Sequence, residues 1–331
     1  MERFALAAAV VLGFALTAAL CSLFVPLRRV LERREQQQQP VQSEQPRPAP
    51  LRAPLWGGLC AAAGTVAAVG VGWLAACVGQ PELLGSEGRL MTRLLTALAG
   101  SLAFGAVGLA EDVARMRSPA ALGLRRDVRL LLEALAVAFV LLLLRAAGCL
   151  PRGLGVPGAG YVLLGSAVPF LWAVLMVALA ECARIAERDE GTVCGAAFVA
   201  MLALMMVEAG LGVSGLAVLP AALAGALVAL GLWAFPPARL GVGCCGSLLA
   251  AGAIGCIPLS LDMTSLTVPL ALPFWAAGGL LAAQLLCAKR TGKPLRCWVK
   301  KHKMSPETVF LCSFALSAVG YVLALALLRW C

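Results

Sequence analysis

Charge is scarce in this 331-residue chain: 13% of residues are Asp, Glu, Lys or Arg, against about 25% in water-soluble domains. Asparagine is absent, histidine occurs once (His302), and aspartate four times, at Asp112, Asp127, Asp189 and Asp262. A zinc centre takes about three or four nitrogen, sulfur or carboxylate ligands at local spacing, so a histidine-based metal site is excluded. The 13 cysteines form no Cys-x-x-Cys pair, and most sit in apolar runs, as Cys21, Cys60, Cys77, Cys194, Cys256 and Cys312 do. A free cysteine there behaves as a small hydrophobe. Only the adjacent Cys244 and Cys245 stand apart.

What the chain has instead is apolar surface. Hydrophobic residues make up 61% of it, which no disordered polar chain tolerates. Apolar windows long enough to cross a bilayer recur along the whole length. The expected fold is all-α: a polytopic integral membrane protein forming a single transmembrane domain over residues 1–331. Ten spans are predicted, at about 3–24, 55–78, 92–112, 128–147, 160–181, 191–209, 211–235, 242–260, 266–287 and 307–329. The sixth and seventh are divided only by Glu208 and the turn signals Gly210 and Gly212. Arg28, Arg29, Arg33 and Arg34 follow the first span where a signal peptide would have a small-residue cleavage site, so that span reads as an anchor.

Loop charge sets the orientation. Of the 27 Lys and Arg residues, all but Arg3, Arg89, Arg93, Arg145, Arg152 and Arg329 fall after spans one, three, five, seven and nine. The positive-inside rule makes that side cytoplasmic and puts both termini outside. The net charge of +10 is therefore mostly a topology signal. It also suits anionic lipid head groups or a nucleotide diphosphate, and with no soluble basic domain no nucleic-acid partner is expected. Residues 26–54, with the Gln- and Pro-rich stretch EQQQQPVQSEQPRPAP, read as a flexible cytoplasmic linker.

Ionisable groups at span ends are where chemistry is expected, and three cytoplasmic places carry them. Glu111 and Asp112 close the third span; paired carboxylates there can hold Mg²⁺ through its water shell or act as a base, or simply end a helix. Glu187, Asp189 and Glu190 precede the sixth span, where acidic residues also stabilise a helix N-terminus through its dipole. Gly243, Gly246 and Ser247 open the eighth. A Gly-rich turn into a helix offers N–H groups to a phosphate, although glycine equally serves close packing in membranes.

Taken together, these segments resemble the polyprenyl-phosphate N-acetylhexosamine-1-phosphate transferases, the membrane type of glycosyltransferase family 4 that includes phospho-N-acetylmuramoyl-pentapeptide transferase. Gly108-Leu109-Ala110-Glu111-Asp112 is similar to the family's Gly-Phe-x-Asp-Asp motif. Gly123-Leu124 with Arg129 is similar to Gly-Leu-x-x-x-x-Lys, and Gly243-Cys244-Cys245-Gly246-Ser247-Leu248 to Gly-Asp-x-Gly-Ser-Leu. Arg52 to Leu59 resembles the Thr-Pro-x-x-Gly-Gly start of the second span. The likeness runs in order from about residue 50 to the C-terminus.

The resemblance implies a multi-pass protein of the plasma membrane. It would move a phospho-N-acetyl-amino sugar from a UDP-amino sugar to polyprenyl phosphate at the cytoplasmic face, releasing UMP, in cell-envelope (peptidoglycan) precursor synthesis. It implies Mg²⁺ as cofactor, Glu111 and Asp112 as catalytic residues and metal ligands, and a phosphate-binding set of Arg129, Asp189, Glu190, Gly246, Ser247, Lys300, Lys301, His302 and Lys303. A homodimer is compatible with it. Several positions depart from the pattern. Cys244 stands where the family has a magnesium-binding Asp, Glu111 where it has the first Asp, and CARIAERDEG where it has an asparagine-rich stretch. His302 is all that remains of a triple-histidine motif. Because Mg²⁺ prefers hard oxygen ligands, Cys244 is expected to decide activity, with Cys244→Asp expected to raise Mg²⁺-dependent binding of a UDP-sugar.

Two readings follow, an active divergent transferase or a catalytically inactive pseudoenzyme that binds lipid phosphate or a partner. An unrelated transporter would carry mid-membrane charges, and the spans are nearly empty of them. Pro269 and Pro273 each remove a helical hydrogen bond, so the ninth span is predicted to bend and open a lateral groove for a lipid chain.

Overall fold

The computed structural model describes residues 2–38, 56–79, 88–117, 123–151, 153–156, 160–163, 165, 167–187, 191–213, 215–235, 239–291 and 306–330. Helices dominate in chain order: α1 (Glu2–Gln38), α2 (Gly57–Gly79), α3 (Gly88–Arg117), α4 (Arg126–Ala146), α5 (Ala167–Ala186), α6 (Thr192–Gly210), α7 (Val218–Ala234), α8 (Gly243–Ser260), α9 (Thr267–Leu270), α10 (Leu272–Thr291) and α11 (Pro306–Trp330).

Among the described residues, seven helices are long and apolar enough to cross a membrane: α1, α2, α3, α5, α6, α8 and α11. The bent pair Thr264–Leu270 and Leu272–Ala283 makes an eighth. The remaining two of the ten expected spans are α4, which carries Arg129, Glu133 and Arg145, and α7, which has only 17 residues. The protein is thus a polytopic helical membrane protein.

Three expectations need correction in detail. The fifth span does not begin at 160, because β1 (Gly153–Val156) pairs antiparallel with β2 (Gly160–Leu163) and the helix starts at Ala167. This antiparallel pair departs from a purely α architecture. Nor is 26–38 irregular. α1 runs on to Gln38 because ERREQQQ is built of good helix formers and the next proline is Pro40; residues 39–54 lie outside the described residues. Between the sixth and seventh spans, the break is longer than expected: α6 ends at Gly210 and α7 begins at Val218.

The predicted bend is present. The chain turns by 64° at the break between Leu270 and Leu272, with Pro269 and Pro273 on either side. A small void lined by Ala186, Val193, Pro273, Phe274 and Ser313 adjoins it.

α8 lies at the centre, with every residue from Gly243 to Ser260 buried. Its sequence GCCGSLLAAGAIGCIPLS is made largely of small residues, and with no hydrophobic driving force between helices in lipid, small residues are what permit close packing. α3 is its main neighbour, followed by α5, α2 and α6. At the crossing, a Cβ on Gly108 would strike the Cys244 carbonyl and the Cys245 nitrogen. Only glycine lets the end of α3 approach the start of α8 this closely.

Candidate functional site

Glu111, Asp112 and Arg115 share the last turns of α3, with Arg115 one turn beyond Glu111 in an i,i+4 pair at 2.9 Å. Gly243 adopts φ +72°, a left-handed conformation that glycine takes without strain. The turn it makes delivers two free amides of α8 to α3. Asp112 Oδ1 accepts from the Cys244 N–H at 3.0 Å and Oδ2 from the Cys245 N–H at 2.9 Å. Asp112 is thus a tertiary cap for α8, satisfying donors that the first turn of any helix leaves open.

Glu111 is the hub of an ionic ring. Its Oε1 lies 2.9 Å from Arg115, 3.4 Å from Arg184 and 3.9 Å from Arg129. Glu181 closes the ring by pairing with both Arg129 (3.0 Å) and Arg184. An arm extends from Arg115 to Glu187 at 3.4 Å, and the Cys244 thiol donates to that same Glu187 Oε2 at 3.6 Å. Three arginines and three glutamates from α3, α4 and the α5 end therefore balance one another. Glu111 is nearly inaccessible, its side chain 3% exposed, while Arg115 and Glu181 reach solvent at 23% and 28%. Behind the ring, Glu133 is fully buried, and neither of its oxygens has a hydrogen-bond partner.

The sequence-derived site is thus brought together in part. Glu111, Asp112, Arg129, Cys244, Gly246 and Ser247 converge at one end of the bundle. The Gly-rich turn, though, does not present its first amides to a phosphate, because Asp112 holds them. Ser247 is buried and donates to the Cys244 carbonyl at 3.1 Å, and Gly246 packs on Gly58 of α2. Asp189, Glu190, Lys300, Lys301, His302 and Lys303 lie outside the described residues. Arg115, Glu181, Arg184 and Glu133 were not anticipated. The Glu111–Arg115 spacing was a legible signal for the first, and the Glu181–Arg184 i,i+3 spacing for the next two.

A profile of glycosyl transferase family 4 matches residues 94–262, just over half of the chain, spanning α3 to α8 and every described residue of this cluster. The chain belongs to glycosyl transferase family 4. No curated protein matches it. The resemblance of its motifs implied Mg²⁺, and the residues present do not fit such an ion. Mg²⁺ demands near-octahedral hard oxygen ligands. Here Glu111 faces three guanidinium groups, both Asp112 oxygens bind amides, and Cys244 presents a soft thiol. Among the described residues, no group of three or more His, Cys, Asp or Glu is arranged to hold a metal ion.

Proposed function

We propose that this family-4 protein is a non-catalytic member, a multi-pass scaffold in the plasma membrane that binds a lipid phosphate or a partner without turning over a sugar nucleotide. One observation carries the reading: both motif carboxylates are spent inside the protein, Glu111 on three arginines and Asp112 on the N-terminus of α8. A catalytic base or metal ligand needs a free lone pair aimed at substrate. Of the four oxygens of these two carboxylates, Glu111 Oε2 lacks a hydrogen-bond partner, and it is buried.

The test is exchange of labelled UMP into UDP-N-acetyl-amino sugars by purified protein with polyprenyl phosphate, with and without Mg²⁺. No exchange above a protein-free control is expected. Robust exchange would establish the second reading, a transferase that moves a phospho-N-acetyl-amino sugar to polyprenyl phosphate for cell-envelope synthesis. That reading is favoured by the convergence of Glu111, Asp112, Arg129 and the Gly243–Ser247 turn at one end of the bundle.

A further inference from the structure

Resting on the non-catalytic reading above, we propose that the Arg184 guanidinium serves as a built-in cation where a divalent metal would otherwise sit, making the carboxylate cluster a metal-independent lock among α3, α4, α5 and α8. The ring geometry supports this. Arg184 donates one nitrogen to Glu111 Oε1 at 3.4 Å and the other to Glu181 Oε2, bridging carboxylates on two helices as a metal ion would. Arg129 bridges the same two carboxylates from α4, at 3.9 Å and 3.0 Å. Arg115 links Glu111 to Glu187, which in turn meets Cys244 at the start of α8.

Charge balance leads to the same conclusion. Three arginines answer Glu111, Glu181 and Glu187, and Asp112 is answered by two amides and the positive end of α8. A dication entering the ring would meet three guanidinium groups already gathered around Glu111. Cys244 fits this arrangement. A thiol is a poor ligand for Mg²⁺ but a neutral neighbour for Glu187, where an aspartate would add a further negative charge beside Glu187 and Asp112.

The experiment uses full-length protein in lipid nanodiscs, following thermal unfolding in EDTA and in millimolar Mg²⁺ or Mn²⁺. Wild type is expected to unfold at one temperature in all three. Arg184→Gln should unfold several degrees lower in EDTA and regain part of that loss in Mg²⁺, because the space between Glu111 and Glu181 then accepts a dication. Arg184→Lys, which keeps the charge, should stay insensitive to metal. A wild-type Tm that rises with Mg²⁺ would overturn the proposal, as would an Arg184→Gln loss that no metal repairs. Should Arg184→Gln not fold, Mn²⁺ binding to wild type by electron paramagnetic resonance decides: a bound ion refutes the built-in cation and its absence supports it. The two readings separate cleanly. UMP exchange in EDTA would sink the non-catalytic function and leave metal independence standing, whereas exchange only with Mg²⁺ would sink both.

Discussion

The bundle is held by charge at one place and by backbone contact at another. Around Glu111, four helices meet through arginines, carboxylates and the amides of α8. Where α1 crosses α7, no ion is involved: a Cβ on Gly13 would strike the Ala222 carbonyl, and one on Gly225 the Val10 carbonyl. The glycine seam gains stability from dispersion between closely approaching backbones. A buried ion network, by contrast, adds little net stability over an apolar core, because desolvation offsets the attraction, yet removing one member leaves buried charge on its partners uncompensated. The seam is therefore vulnerable to added volume and the ring to lost charge.

Four substitutions would break or sharpen this contrast. The largest effect is expected at the seam. Gly225→Leu forces a side chain into the α1 backbone, which cannot move aside as a flexible side chain would. Overpacking usually costs about 1–3 kcal/mol, but here the atoms struck are backbone, so failure to fold, seen as little monodisperse protein after solubilisation, is expected. Full stability in this variant would mean that α1 and α7 do not touch as described.

Glu111→Ala comes next, because it takes one of two carboxylate partners from three guanidinium groups at once. A cost of about 3–5 kcal/mol is expected from denaturant unfolding. The charge-free pair Glu111→Leu with Arg184→Leu should recover part of it. A double variant no better than the single would place the cost in lost volume rather than stranded charge.

Asp112→Ala leaves two α8 amides without their partner, for about 1–2 kcal/mol. Hydrogen exchange at Cys244 and Cys245 should speed up while the middle of α8 stays protected. Slow exchange at both amides would deny Asp112 its capping role.

The smallest change, and the one of opposite sign, is Glu133→Gln. Because both Glu133 oxygens are buried without a partner, replacing an ionisable group by a neutral one of the same shape should leave stability unchanged or raise it by about 1 kcal/mol. A clear loss would reveal a partner that Glu133 holds as an anion.

Much of this architecture was legible from the chain alone. Apolar windows located the helices, and paired prolines located the bend at residue 271, because both signals are local. The convergence of Asp112 with the Gly243 turn was also legible. Its sense was inverted, since a helix N-terminus that attracts phosphate attracts a carboxylate equally well, and the spacing does not say which arrives. Arg129 was legible as a cation near the site but not as the partner of Glu181, 52 residues away. Arg115 with Glu187, 72 residues apart, was hidden for the same reason: pairing across helices is fixed by packing, which periodicity does not encode. The β1–β2 hairpin was missed because Tyr161, Val162 and Leu163 are as apolar as the helix that follows them.

The complete burial of α8 bears on the order in which the protein is assembled. Its main neighbours, α3, α5, α2 and α6, all precede it in the chain. They emerge from the ribosome with faces shaped to receive a helix that does not yet exist. Until residue 260 has been made, Gly100, Gly105 and Gly108 of α3, which lie against α8 in the finished bundle, have no helix to pack on. The cap must then form late, since Asp112 has no amides to hold before α8 arrives, whereas the ring draws only on residues made before it. Closure of that cap thus marks the moment at which the bundle closes on its centre.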